Sequence, residues 1–214
     1  MDWLAQVDGY CERLGPGVWA EPVNAVTNLV FVLAGLGMFA RCRGHAMGQA
    51  MAAVLVVIGI GSGLFHTFAN RLTGLADVLP ILGFILLYIY AATRDFLGAR
   101  PWLAALAAAG FVPFAAATAP LFAMVPVLGV SAGYWPVVAM IMIYAGLLRG
   151  TVGRRLAIGA AILTVSLVAR SLDGVICAAV PLGTHFLWHL LNALMLAWMI
   201  EVWRRFRLGG QRMG

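Results

Sequence analysis

The stretch THFLWHLLNALMLAWMIEVW, residues 184–203, decides how the chain is read. It carries a single acid, Glu201, and no base before Arg204. About 20 helical residues at about 1.5 Å each cross the hydrocarbon core of a bilayer. At the start of this run His185 and His189 stand four positions apart, which puts both imidazoles on one helical face. Ionisable groups at membrane depth are costly and face a bundle interior or a cavity. The run predicts a membrane helix that lines a buried polar site.

The rest of the chain fits that environment. Of 214 residues, 63% are hydrophobic and 10% are charged. The mean hydropathy is +0.96. Soluble domains are about half apolar and a quarter charged. The apolar runs are continuous, which excludes the weak alternation of an outer-membrane barrel. The expected fold is an all-α integral membrane bundle of seven transmembrane helices in one domain, 1–214. Spans are predicted over about 24–40, 50–68, 77–93, 102–118, 134–148, 156–176 and 184–203. Residues 1–23 read as an interfacial segment with a short amphipathic helix over Trp3 to Arg13, broken by Gly15-Pro16-Gly17. A tight turn is predicted over Asn70 to Gly74, a loop over Arg149 to Arg155, and a short tail over 204–214.

Arginine sets the orientation. All fourteen basic residues are Arg. With seven spans, Arg41, Arg43, Arg94, Arg100, Arg149, Arg154, Arg155, Arg204, Arg205, Arg207 and Arg212 fall on one side. Only Arg13, Arg71 and Arg170 fall on or near the other. That excess predicts a cytoplasmic C-terminus and an outer N-terminus. It uses the basic charge for topology and leaves none that implies nucleic acid. Asp2, Asp8, Glu12 and Glu21 argue against a signal peptide at the start. Cys11, Cys42 and Cys177 are far apart and show no disulfide or metal spacing.

The same topology gathers the polar residues. Ser62 and His66 end the second span, Asp77 begins the third, and His185 and His189 begin the last, all at the outer side. Three imidazoles with an open position form the donor set of a catalytic zinc site. A nearby Asp suits proton transfer, and a Ser one turn from a ligand suits oxyanion stabilisation. Asp8, Glu12 and Glu21 lie within fourteen residues and read either as ligands for a hard cation such as calcium or as a solvated acidic face. Arg170 and Asp173 are spaced for an i,i+3 ion pair near the site. His45 reads as a solvated loop residue, and Asp95 and Glu201 as edge charges that snorkel or pair with neighbouring Arg.

The motifs Asp8…Cys11-Glu12, Trp19-Ala20-Glu21-Pro22-Val23-Asn24 with Asn28, Ser62-xxx-His66, Asp77-xx-Pro80, Arg170-xx-Asp173-xxx-Cys177 and His185-xx-Trp188-His189 run from residue 8 to about 200. In this order they resemble the alkaline ceramidase family, part of a superfamily of seven-helix membrane hydrolases that includes the progestin/adiponectin receptors. The resemblance implies zinc on His66, His185 and His189, with Ser62 and Asp77 as catalytic neighbours. It also implies calcium at Asp8, Glu12 and Glu21. The sequence departs from the animal pattern there, with Arg13 after Glu12 and no Asn following. The implied reaction is hydrolysis of the N-acyl bond of ceramide, or a ceramide-like membrane lipid, to a sphingoid base and a fatty acid. Short loops and all-Arg basicity look bacterial, which predicts an inner-membrane protein with its site toward the periplasm. Two alternatives stay open: a zinc-containing receptor-like lipid-binding protein, and a hydrolase of a lipid ester.

Overall fold

The structure, a computed structural model, describes residues 2–7 and 9–211. Each predicted span becomes helical. The first is split at Asn28, so the seven spans correspond to eight α-helices among the described residues: α1 (Pro22–Thr27), α2 (Leu29–Arg41), α3 (Ala46–Phe68), α4 (Arg71–Ala91), α5 (Pro101–Ala123), α6 (Trp135–Leu148), α7 (Gly150–Ile176) and α8 (His185–Gln211). A π-helical turn, Ala92–Phe96, extends α4, and a 3-10 turn, Leu128–Ser131, precedes α6. Among the described residues there is no strand, only an isolated bridge between Gln6 and Asn70. Six runs are long and apolar enough to cross a membrane: Pro22–Arg41, Ala46–Phe68, Arg71–Phe96, Pro101–Ala123, Gly150–Ile176 and His185–Gly209. Trp135–Leu148 is a shorter apolar helix. By length and composition the chain is an α-helical membrane protein.

The helices form a ring in which neighbours in sequence are neighbours in space, and α8 closes it against α2 and α3. The histidine-bearing helices α3 and α8 are the central ones. Half or more of their spans is buried, 50% and 56%, against 11% for α5. Large apolar side chains such as Leu33, Leu106, Leu147 and Val165 point outward, as a lipid-facing surface requires.

Four local expectations change. Residues 3–7 and 9–13 form turns and extended backbone rather than an amphipathic helix. They are held by hydrogen bonds from Val7 N–H to Ala69 O, Arg71 N–H to Ala5 O and Leu72 N–H to Trp3 O. The Val7 N–H and the Trp3 and Ala5 carbonyls are spent on the α3–α4 corner, so a local helix has nothing to gain. The turn over Asn70 to Gly74 shrinks to Ala69 and Asn70, because Asn70 caps α4 through Thr73 in a capping box. The loop over Arg149 to Arg155 shrinks to Arg149, with α7 starting at Gly150. Finally, Cys11 and Cys177 form a disulfide across 166 positions, Cα to Cα 5.3 Å. Spacing alone hid the pair, although the arginine topology had put both at one end of the bundle.

Candidate metal centre

The site is built where α3, α4 and α8 meet beneath the N-terminal segment. Pro80 has no N–H for the carbonyl of Ala76 one turn earlier in α4. Gly61 of α3 packs its Cα against that oxygen, and a Cβ there would collide with it. This close crossing puts Ser62 within side-chain reach of the Asp77 carboxyl. One turn further along α3 lies His66.

Asp173 positions the other two histidines. Its carboxylate accepts from Thr184 N–H (2.7 Å) and His185 N–H (2.8 Å), capping the first turn of α8, and from Cys11 N–H (3.0 Å). Gly183 makes this possible: its φ is +66°, and a Cβ would overlap Asp173 Oδ1 and meet the Cys11 Cβ at 2.7 Å. The expected ion pair between Arg170 and Asp173 therefore does not form. Asp173 is occupied by backbone donors that otherwise have no partner at a helix start, and Arg170 turns to Val130 O and Ser131 Oγ, both at 3.0 Å.

His66, His185 and His189 are buried, 0–2% exposed, with ligand nitrogens all within 4.8 Å of one another. Their outer hydrogen bonds assign the protons. His66 Nδ1 lies 2.6 Å from Glu21 Oε2. A carboxylate only accepts, so Nδ1 carries the hydrogen and Nε2 is left as a lone pair. With the Thr27 hydroxyl donating to Val23 O at 2.8 Å, it accepts from His189 Nδ1 at 2.8 Å, the tautomer that a metal at Nε2 requires. His189 Nε2 is thus bare as well. The two Nε2 atoms face each other at 3.1 Å. In these tautomers the two lone pairs repel unless a cation lies between them, whereas a proton on either Nε2 makes the contact an ordinary hydrogen bond. His185 adds a buried Nδ1 with no protein partner. Nitrogen ligands about 3.3 Å apart follow from Zn–N bonds of about 2.05 Å in a tetrahedron. The donor set fits a metal ion, and the carboxylate–imidazole pair Glu21–His66 is the usual outer support of such a ligand.

The acids expected to bind calcium serve other partners. Glu12 accepts from Val23 N–H (2.6 Å) and Asn24 N–H (2.8 Å), capping α1. Glu21 shares its oxygens between His66 and Arg13, whose Nε donates at 2.5 Å. Arg13 also donates to the carbonyls of Gly15, Gly17 and His66. A guanidinium thus occupies the kind of oxygen cradle a hard cation would use. Asp8 lies outside the described residues. Burial works to raise the Glu21 carboxyl, but the hydrogen bond from His66 Nδ1–H and the hydrogen bond and charge of Arg13 hold it below the ordinary carboxylate range.

Tyr10 closes the site from the N-terminal side. Its ring stacks on His185 with centroids 3.7 Å apart. Burial pushes its phenol up, so it stays protonated at neutral pH. Beside it is a cavity of about 120 Å³ lined by Tyr10, Asp77, Arg170, His185, Tyr134 and Trp188 among others. Tyr134 and Trp188 also wall a second, apolar cavity of about 60 Å³ that extends along Ile81, Phe84 and Met195. Tyr10, Thr27 and Arg13 had no signal in helical periodicity, since they reach the site from coil or from a neighbouring helix. His45 lies at the far end of the bundle, its ring against Trp203.

No family model matches the chain, and no curated protein matches it either. What is established is a helical membrane protein in which three buried histidines can hold a metal ion.

Proposed function

We propose that the chain is a zinc-dependent lipid amide hydrolase of the alkaline ceramidase type. The observation that carries this reading is the juxtaposition of a three-imidazole donor set, a carboxyl–hydroxyl pair and a polar cavity that shares the Tyr134 and Trp188 walls with an apolar one. Three nitrogen ligands with a free position suit zinc over calcium or magnesium, which prefer oxygen. Zinc bound there would activate water near neutral pH and polarise a carbonyl. Glu21 and Thr27 hold the His66 and His189 rings with Nε2 inward. Asp77 accepts the proton of the attacking water and returns it to the leaving amine. Ser62 donates to the oxygen that gains charge. Water and amide become a fatty acid and an amine, with one proton passed through Asp77. The apolar cavity receives an acyl chain that enters from the bilayer. Ser62 and Asp77 favour catalysis over a receptor-like role, because a structural metal needs neither.

The same reading takes seven passes, with the N-terminus outside and the site toward the periplasm. The disulfide supports it, since such bonds persist in oxidising compartments. The decisive experiment is fatty-acid release from N-acyl lipids by purified, zinc-loaded protein. Asp77→Asn is expected to keep zinc and lose release. Retained release in Asp77→Asn, or the absence of stoichiometric zinc from the wild type, would overturn the proposal.

A further inference from the structure

Arg170 stands out among the arginines at this end of the bundle. Arg13 is paired with Glu21. Arg170 lines the cavity beside His185 and Asp77, yet no carboxylate forms a salt bridge with it among the described residues. One nitrogen, Nη1, is spent on Val130 O and Ser131 Oγ. The guanidinium is set over the Tyr134 ring (5.3 Å) and within 5.8 Å of the Trp188 ring. That arrangement fixes its plane and leaves Nε and Nη2, the edge that pairs bidentately with a carboxylate, with no salt-bridge partner among the described residues. The Tyr10 phenol oxygen is within hydrogen-bonding reach of the guanidinium, a neutral contact that a bound carboxylate would share or displace.

From this edge we infer that the substrate is an anionic amide, an N-acyl amino acid or a related lipid whose amine portion carries a carboxylate, bound by Arg170. The inference rests on the hydrolase reading and names its substrate class. Geometry assigns the anionic group to the amine side. The acyl chain takes the apolar cavity past Tyr134 and Trp188, and the carbonyl lies at the histidines. The amine portion is then left in the polar cavity with Arg170. Charge agrees: the His185 imidazole, the Asp77 carboxylate and the Arg170 guanidinium face that space, and a divalent metal on the histidines makes it net positive. A neutral amino-alcohol head would leave the guanidinium edge without a charged partner. A phosphate shares the chemistry, but the flat two-donor edge matches the carboxylate better.

The test compares lipids with one acyl chain and one scissile bond: N-palmitoylglycine, N-palmitoylethanolamine and its O-phosphate. Zinc-loaded wild type is expected to favour N-palmitoylglycine over N-palmitoylethanolamine by about 10- to 100-fold in kcat/KM, the worth of a charge-assisted pair. The phosphate should fall between them. Arg170→Gln should bring the ratio near one, and Arg170→Lys should keep part of it. A wild-type ratio near one, or an Arg170→Gln variant that lowers both substrates by the same factor, overturns the inference while leaving amide hydrolysis intact. Equilibrium binding of the same lipids to Asp77→Asn protein in nanodiscs separates the two readings. Tighter, Arg170-dependent binding of N-palmitoylglycine with no cleavage of any amide by the wild type keeps the anion site and removes the hydrolase. Equal binding of charged and neutral lipids overturns the anion site.

Discussion

The two ends of the bundle handle charge in opposite ways. At the arginine-rich end Glu201 collects Arg41, Arg204 and Arg205, whose side chains are 54%, 18% and 55% exposed. Asp95 likewise takes Arg207 and the Trp203 indole N–H. These carboxylates pair with neighbouring arginines as the sequence suggested. At the histidine end Arg13 and Glu21 are each 2% exposed, and their polar atoms have buried partners: Glu21 accepts from His66, Arg13 and Asn24, and Arg13 also donates to three carbonyls. A solvated network tolerates rearrangement because water replaces a lost partner. A desolvated one does not, so its members hold one geometry. The histidine end uses charge to aim imidazoles, and the other end uses it where the helices leave the apolar layer.

The largest break of this contrast comes from the ligands. His189→Ala should reduce bound zinc from about one per chain to background and abolish lipid hydrolysis, read by metal analysis beside fatty-acid release. Next comes Glu21→Gln, which leaves the Arg13 charge buried without its partner. Removing one member of a buried pair costs about 3–5 kcal/mol. Loss of the outer partner of His66 should also weaken zinc binding by about 10- to 100-fold. Unfolding in detergent and competitive zinc titration check the two effects. The pH dependence has a defined sign. The folded Glu21 carboxyl titrates below its ordinary value, so its contribution is full above about pH 4.5 and fades as pH falls through the folded value. The stability gap between wild type and Glu21→Gln should therefore be flat from neutral pH to about pH 5 and shrink in stronger acid.

The disulfide ranks below these. Closing a loop of 166 residues has a ceiling of about 5 kcal/mol in the chain-entropy account. Membrane-held helices already restrict the reduced chain, so Cys11→Ser should cost clearly less. Its sharper effect is local. Cys11 is joined to the turn that Asp173 ties to the start of α8, and next to it Tyr10 lies on His185. Reduction should raise hydrogen exchange in residues 9–21 and leave the Glu201 end unchanged.

The residues legible in sequence were those whose partners share a helix face. His185 and His189, Ser62 and His66, and the seven apolar runs follow from periods of 3.6 and from apolar length. The arginine count then brought Asp77 to the same end. Illegible were contacts between a coil and distant helix ends. Asp173 stood three positions after Arg170, which suggested an ion pair, but three N–H groups from the N-terminal segment and the start of α8 claim it instead. Glu21 looked like a calcium ligand because nothing local told that Arg13, eight residues earlier, would fold back onto it. Cys11 and Cys177 needed the topology first and the pairing second.

The smallest expected effect completes the comparison. Glu201→Gln removes the centre of a network in which Glu201 is 14% exposed but Arg41 and Arg205 are more than half exposed; it should cost about 1 kcal/mol, since pairs that reach solvent are worth little and those two arginines meet water when freed. Raising salt should shrink even that difference, because screening at about 1 M acts over about 3 Å. The same salt step should leave the Glu21→Gln penalty nearly unchanged, as no ions enter a pair that is 2% exposed on both sides. Equal salt sensitivity at the two ends would mean that water reaches Arg13 and Glu21, and the outer support of His66 would then be a solvated contact like Glu201.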